Sequence, residues 1–192
     1  MGLLEAIHDA EIDVFREINV AGTNEILDLI MLAFTFLGIS YVIVLVCVPL
    51  WFRGKRDSAF DMVVLVILVT IIAEAVKLVV DRPRPGIDLD GVNTIVSATG
   101  PAFPSGHATR AFAVATLLFF VDQKRYGPAA LAIATLIAIS RVYLGVHWPT
   151  DILAGAILGS VTAVAFVSFS RGSESYQSLR GRVVDSLRRY RS

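Results

Sequence analysis

The chain has 192 residues, within the length of one domain, and a formal net charge of zero, which gives no reason to expect nucleic acid as a partner. It is 55% hydrophobic and only 18% charged, against about a quarter charged in soluble domains. With a mean hydropathy of +0.69 and its apolar residues gathered in long blocks, an ordinary soluble domain is excluded and an integral membrane protein is expected.

Residues 1–23 interleave Glu5, Asp9, Glu11, Asp13 and Glu17 with Leu4, Ile7, Ile12, Phe15 and Ile18. A basic start and an apolar h-region are both missing, so the pattern does not read as a signal peptide. An amphipathic helix on the membrane surface is expected, with a solvated N-terminal helix as the alternative. From Leu29 to Phe52 no charge appears, which suffices for a crossing. Gly38 and Ser40 interrupt this run, so it is either a half-inserted helix at Asn24–Leu37 followed by a crossing at Gly38–Phe52, or one tilted helix. The single cysteine, Cys47, lies in this apolar run, can form no internal disulfide and reads as a small buried hydrophobe.

A short basic loop at 53–57 leads to a second span, Ala59–Val80, which contains Glu74 and Lys77. Residues 81–103 are polar and rich in Pro and Gly, and are too long for a simple turn; long ordered connections are often functional. Further spans are expected at Ser105–Val121, Tyr126–Leu144 and Thr150–Ser170, before an arginine-rich tail from Arg171. The fold class expected is therefore all-α: an integral membrane helical bundle of five transmembrane helices, six at most, plus the N-terminal amphipathic helix. The expected divisions are residues 1–23, a membrane domain over 24–170, and a basic tail over 171–192. The positive-inside rule places Arg53, Lys55, Arg56, Lys124, Arg125 and the tail arginines on the cytoplasmic side. Residues 81–103 and 145–149 then face outward, with the acidic N-terminus.

Ionisable groups at membrane depth need a partner or a function. Here they gather at the outward ends of the spans: Lys77, Arg82 and Arg84, then His107 and Arg110, then Arg141, His147 and Asp151. Lys77, Arg84 and Arg141 concentrate cations from separate segments, which implies an anion such as phosphate. Snorkelling to lipid headgroups would explain each of them singly. Pro104-Ser105-Gly106-His107 opens a helix, with Ser105 as N-cap and Gly106 allowing close approach to the backbone; free N–H groups at a helix start bind anions. Pro149 suits the first helical position and puts Asp151 within reach of the His147 ring. A carboxylate on one ring nitrogen leaves the other as nucleophile or base, while His107 could protonate a leaving oxygen. A zinc site on His107, His147 and Asp151 is disfavoured by the surrounding arginines. Glu74, one turn before Lys77, could neutralise it or hold Arg110, and Arg110 could touch a second phosphate or a headgroup. Gly155 and Gly159 continue the i, i+4 line from His147 and Asp151 as a face for close helix packing.

Lys77 followed six residues later by Arg84-Pro85, then Pro104-Ser105-Gly106-His107, then Ser140-Arg141 with His147 and Asp151 downstream, resemble the three-part signature of the type 2 phosphatidic acid phosphatase superfamily. The match runs from Lys77 to Asp151 in order and with the required spacing. The resemblance implies a metal-independent membrane phosphatase without a cofactor, acting on a lipid phosphate or diphosphate: phosphatidylglycerophosphate, phosphatidate or a polyprenyl diphosphate. It implies His147 as the nucleophile that forms a phosphohistidine, Asp151 as its orienting partner and His107 as general acid. Lys77, Arg84, Ser105, Gly106 and Arg141 are then the phosphate ligands. Membrane members commonly have six spans, and this chain has the acidic segment where a first span would stand. The rivals are a lipid phosphotransferase using the same histidine, a vanadate-dependent haloperoxidase of the soluble branch, and a non-enzymatic bundle that binds or moves anionic lipid.

Overall fold

A computed structural model describes residues 3–20 and 24–189, and side chains from residue 8 onward except at 123 and 124. The remaining positions of the expected N-terminal segment, and Arg191 of the tail, lie outside the described residues. Helix α1 (Leu3–Asn19) is amphipathic as expected, and it buries Glu11, Phe15 and Asn19 along one line. Asn24 caps α2 (Glu25–Leu37) by accepting the Leu27 N–H at 2.9 Å. The path then breaks at Gly38 and continues as α3 (Ser40–Val44) and α4 (Cys47–Phe52), bent by 64° from α2. The first apolar run is thus broken at Gly38 rather than straight.

Helix α5 (Arg56–Val80) runs for 25 residues and stops where Asp81 takes a left-handed conformation, φ 43°. The loop beyond it carries the one-turn helix α6 (Pro85–Asp88). Helix α7 (Gly106–Val121) has 16 residues, giving a length of about 24 Å. That is short against a hydrocarbon core of about 30 Å. It can afford this because α5, α8 (Gln123–Tyr143) and α9 (Pro149–Gly172) enclose it and keep its polar start away from lipid. Met62, Leu65 and Val69 of α5 meet Ala113 and Leu117 of α7, Ile137 of α8 and Phe166 of α9 in a common core. Ile71, Leu78 and Val79 of α5 and Leu153, Ile157 and Val161 of α9 stay exposed, as side chains meant for a bilayer do.

By length and composition α5, α8 and α9 can each cross a membrane, and the bent α2–α4 run is either one broken span or a re-entrant loop. Among the described residues that makes three or four segments long enough to cross, and α7, the remaining expected span, is apolar but shorter. The basic tail is more ordered than its composition suggested. It forms α10 (Glu174–Arg189), held to α5 where Arg180 and the Tyr176 hydroxyl both bind Asp61, at 2.7 and 2.8 Å.

Candidate active site

The site is assembled where α5, α7, α8 and α9 end on the same side as α1. Helices α7 and α9 touch almost backbone to backbone. A Cβ on Gly155 would lie 2.7 Å from the Ser105 carbonyl oxygen, and one on Gly159 only 2.1 Å from that of Thr109. The small face read from the sequence is therefore the contact that aligns the starts of the two helices. The Ser105 N–H completes the join by donating to the Asp151 carbonyl at 3.0 Å.

His147 sits in the loop between α8 and α9. Gly145 turns this loop at φ 78°, where a Cβ would strike the Asn93 carbonyl. His147 and Asp151 are both buried. Nδ1 of His147 lies 3.3 Å from Oδ2 of Asp151, and that oxygen also accepts the Trp148 N–H at 2.8 Å. The other carboxylate oxygen accepts from Arg82 Nη1 at 3.0 Å. With Nδ1 engaged, Nε2 is the ring atom left for chemistry. Burial pushes the imidazole down to about 4; the Asp151 hydrogen bond opposes the shift and the Arg141 charge adds to it. The ring is neutral at physiological pH.

His107, one residue into α7, lies within the electrostatic reach of Arg141, Arg110, His147 and Lys77. Around this point several polar atoms are buried without a hydrogen-bond partner: Ser105 Oγ, Arg110 Nε and Arg141 Nε. Buried polar atoms are ordinarily satisfied, so orphans clustered at a helix start suit an anion. Ser105 is the N-cap of α7 by position, yet its hydroxyl makes no capping bond. Arg110 folds back over the first turn, with Nη1 3.1 Å from where a Gly106 Cβ would be. Lys77 pairs with Glu74 at 2.8 Å, the neutralising role weighed for that carboxylate.

Arg84 is more committed than the sequence suggested. Nε donates to Gly100 O, Nη1 to Val146 O, and Nη2 to Thr99 O and Pro101 O, at 2.7–3.3 Å. Of a guanidinium's five N–H groups, this leaves one on Nη1. Arg84 therefore fastens the 99–101 loop to the residue before His147. Among the described residues, no three His, Cys, Asp or Glu side chains are grouped as metal ligands.

Several residues of the site escaped sequence reasoning. Glu11 of α1 accepts from Arg82 Nη2 at 2.5 Å and from the Thr150 N–H at 2.9 Å, so Arg82 bridges it to Asp151. The Arg82 guanidinium also lies 5.1 Å from the ring of Trp148, against which Phe15 packs. Asn19 ties α1 to the Asn93 and Tyr143 carbonyls, both at 2.8 Å. Helix α1 is thus braced by one face on Arg82, Asn93, Tyr143 and Thr150. The signal was present as Glu11, Phe15 and Asn19 at i, i+4 and i+8. From α2, Thr35 accepts from Arg141 Nη1, and Gly38 admits the His107 ring where a Cβ would come within 2.7 Å of it.

The sequence profile of the PAP2 superfamily matches residues 58–174. An undecaprenyl-diphosphatase of Sulfolobus acidocaldarius is 30% identical over 153 residues, covering 78% of this chain and 73% of the relative. Among solved structures, Aquifex aeolicus LpxE superposes with a TM-score of 0.76 at 29% identity, over 82% of this chain and 94% of that one. A transmembrane PAP2-type phosphatidylglycerolphosphate phosphatase from Bacillus subtilis gives a TM-score of 0.75 at 26% identity, over 86% and 87%.

Proposed function

The chain belongs to the PAP2 superfamily, and from that membership we propose that it is a multi-pass membrane phosphatase releasing the terminal phosphate of a lipid phosphate or diphosphate through a phosphohistidine on His147. A polyprenyl diphosphate is the substrate favoured by the undecaprenyl-diphosphatase relative. The observation that carries the reading is the buried His147–Asp151 pair, with Nε2 free, beside the unpartnered donors of Ser105, Arg110 and Arg141.

In the first step Nε2 attacks phosphorus and the bond from phosphorus to the lipid-side oxygen breaks. His107 gives that oxygen its proton. In the second step water attacks the phosphohistidine, His107 takes the water's proton, and phosphate leaves with His147 neutral again. Charge spreads over the equatorial oxygens in both steps, where Arg141, Lys77, Ser105, the Gly106 N–H and the remaining Arg84 N–H stabilise it. Arg110 stands ready for a second phosphate. The basic 53–56 loop and α10 at the other end support a cytoplasmic tail and an outward-facing site.

The test is phosphate release by purified protein from lipid mono- and diphosphates in detergent with EDTA present. Release is expected to persist, and its loss on chelation would overturn the mechanism. Because the nucleophile must be neutral, and burial holds His147 near 4, kcat/KM should fall as pH drops through about 4. An acid limb near 6.5 would instead mark an ordinary solvated imidazole. Arg82→Ala removes the bridge from Glu11 to Asp151 without touching the phosphate. It should lower kcat roughly tenfold or more through a misplaced His147, with little change in KM. Equal losses in kcat and 1/KM would make Arg82 a substrate ligand instead.

A further inference from the structure

At the end of the bundle opposite His147, a cavity of about 560 Å3 opens where the start of α5 meets the ends of α7 and α9 and the side of α10. That volume is in the range of small-molecule sites. We infer that this cavity is a second anion site, built for a phosphate group such as an anionic lipid headgroup carries. It uses none of the groups assigned to catalysis and does not rest on the phosphatase reading.

Four cations line the cavity, Lys55, Arg56, Arg171 and Arg180, against two carboxylates, Asp57 and Asp61. Both carboxylates serve the same cation. Arg180 Nη1 lies 2.7 Å from Asp61 and Nη2 lies 3.5 Å from Asp57. Among the described residues, the other three cations meet neutral groups only. Lys55 donates to the Val121 carbonyl at 3.2 Å, and Arg171 to the Phe120 carbonyl at 3.5 Å. These two cap the last carbonyls of α7, which is reason enough for their place. Arg56 has no such reason. Its guanidinium lies 5.8 Å from the Trp51 ring, and its Nε is buried without a hydrogen-bond partner. The Nε of Arg180 is orphaned in the same way. Buried N–H groups are ordinarily satisfied. Two orphaned guanidinium donors on side chains of one cavity, beside three cations that no carboxylate neutralises, call for an acceptor from outside the chain.

The floor of the cavity points to an amphiphile as the source of that phosphate. Leu117, Val167 and Val184 line it and are buried. Cations above an apolar floor suit a headgroup whose first carbons lie below it, and anionic leaflets draw basic segments of this kind. The cations also come from separate helices: Arg56 from α5, Arg171 from α9 and Arg180 from α10. A phosphate held among them would tie α10 to the bundle.

The test is thermal unfolding of the full chain in dodecyl maltoside micelles carrying dioleoyl phosphatidylglycerol or dioleoyl phosphatidylcholine. A second arm compares inorganic phosphate with chloride at equal ionic strength in lipid-free micelles. Phosphatidylglycerol should raise the melting temperature of wild type by about 3 °C or more over phosphatidylcholine. The pair Arg56→Gln/Arg171→Gln should lose that rise. The pair Arg53→Gln/Arg182→Gln removes the same charge from exposed positions outside the cavity lining, and should keep it. A rise with inorganic phosphate alone, lost in the cavity pair, supports the site and assigns it to free phosphate. No rise with either anion overturns the proposal. So does a rise that survives in the cavity pair, or one that the control pair loses equally, which marks attraction to surface charge in general. If the cavity pair does not fold, Arg56→Gln alone is read by the same outcomes. Phosphate release enters none of these readouts, so the site and the phosphatase reading stand or fall separately.

Discussion

His147→Ala is expected to abolish phosphate release, with kcat lowered by roughly four orders of magnitude or more. The loss should be in the chemical step alone. The cations and the orphaned Ser105 and Arg141 donors lie on other segments, and Asp151 stays fixed by Trp148 and Arg82. The variant should therefore bind a non-hydrolysable lipid phosphonate with near wild-type affinity. It should also fail to trap the acid-labile, base-stable phosphoprotein that wild type gives when quenched during turnover. Retention of a tenth or more of wild-type turnover would remove His147 from the nucleophile's role. Asp151→Asn makes a useful companion. It keeps the shape but loses the ion pair with Arg82, so a partial loss is expected from it.

The second large effect concerns stability. Gly159→Ala should destabilise the protein by about 3 kcal/mol and remove most activity with it. The atoms that an added Cβ would meet are all backbone: Thr109 O at 2.1 Å, Thr109 C at 3.0 Å and Ala113 N at 3.1 Å. No rotamer change relieves such a clash, so α7 and α9 must separate. Separation pulls Ser105 and His107 away from His147, since these groups ride on the two helices concerned. Gly172, at the other end of α9, has nothing within 4 Å of its virtual Cβ. Gly172→Ala is the control and should leave both quantities unchanged. Thermal unfolding in detergent, paired with turnover, separates the two glycines. Equal melting temperatures would show that α9 does not set the spacing.

Much of the site was legible because its chemistry is written in short local spacings at helix ends. His147 and Asp151 stand four apart across a proline-started helix, and Ser105, Gly106 and His107 open another. The approximate limits of the helices were legible from long apolar blocks set between short polar ones. What stayed hidden depends on contacts between distant parts of the chain. An amphipathic segment shows that one face will be covered, but not whether lipid or protein covers it. Glu11 interrupts that face in the sequence and looks like a solvated charge, yet its partners lie 71 and 139 residues away. Arg84 was read as a phosphate ligand from its type and place. Its four carbonyl partners come from two loops whose approach no local pattern encodes. Thr35 and Gly38 sit in an apolar run, where the partners that matter, Arg141 and His107, are equally remote.

The shortness of α7 changes what a lipid must do to react. At about 24 Å the helix falls some 6 Å short of the hydrocarbon thickness, so on the proposed reading a phosphate site at its start is recessed if the shortfall lies at that end. A lipid held there is drawn inward by its headgroup and not lifted out of the bilayer. Raising a chain into water would cost about 0.8 kcal/mol for every methylene exposed. A recessed floor avoids that extraction cost and leaves the headgroup's desolvation as the main work of binding, which is a task that fixed cations and helix-start N–H groups are suited to perform.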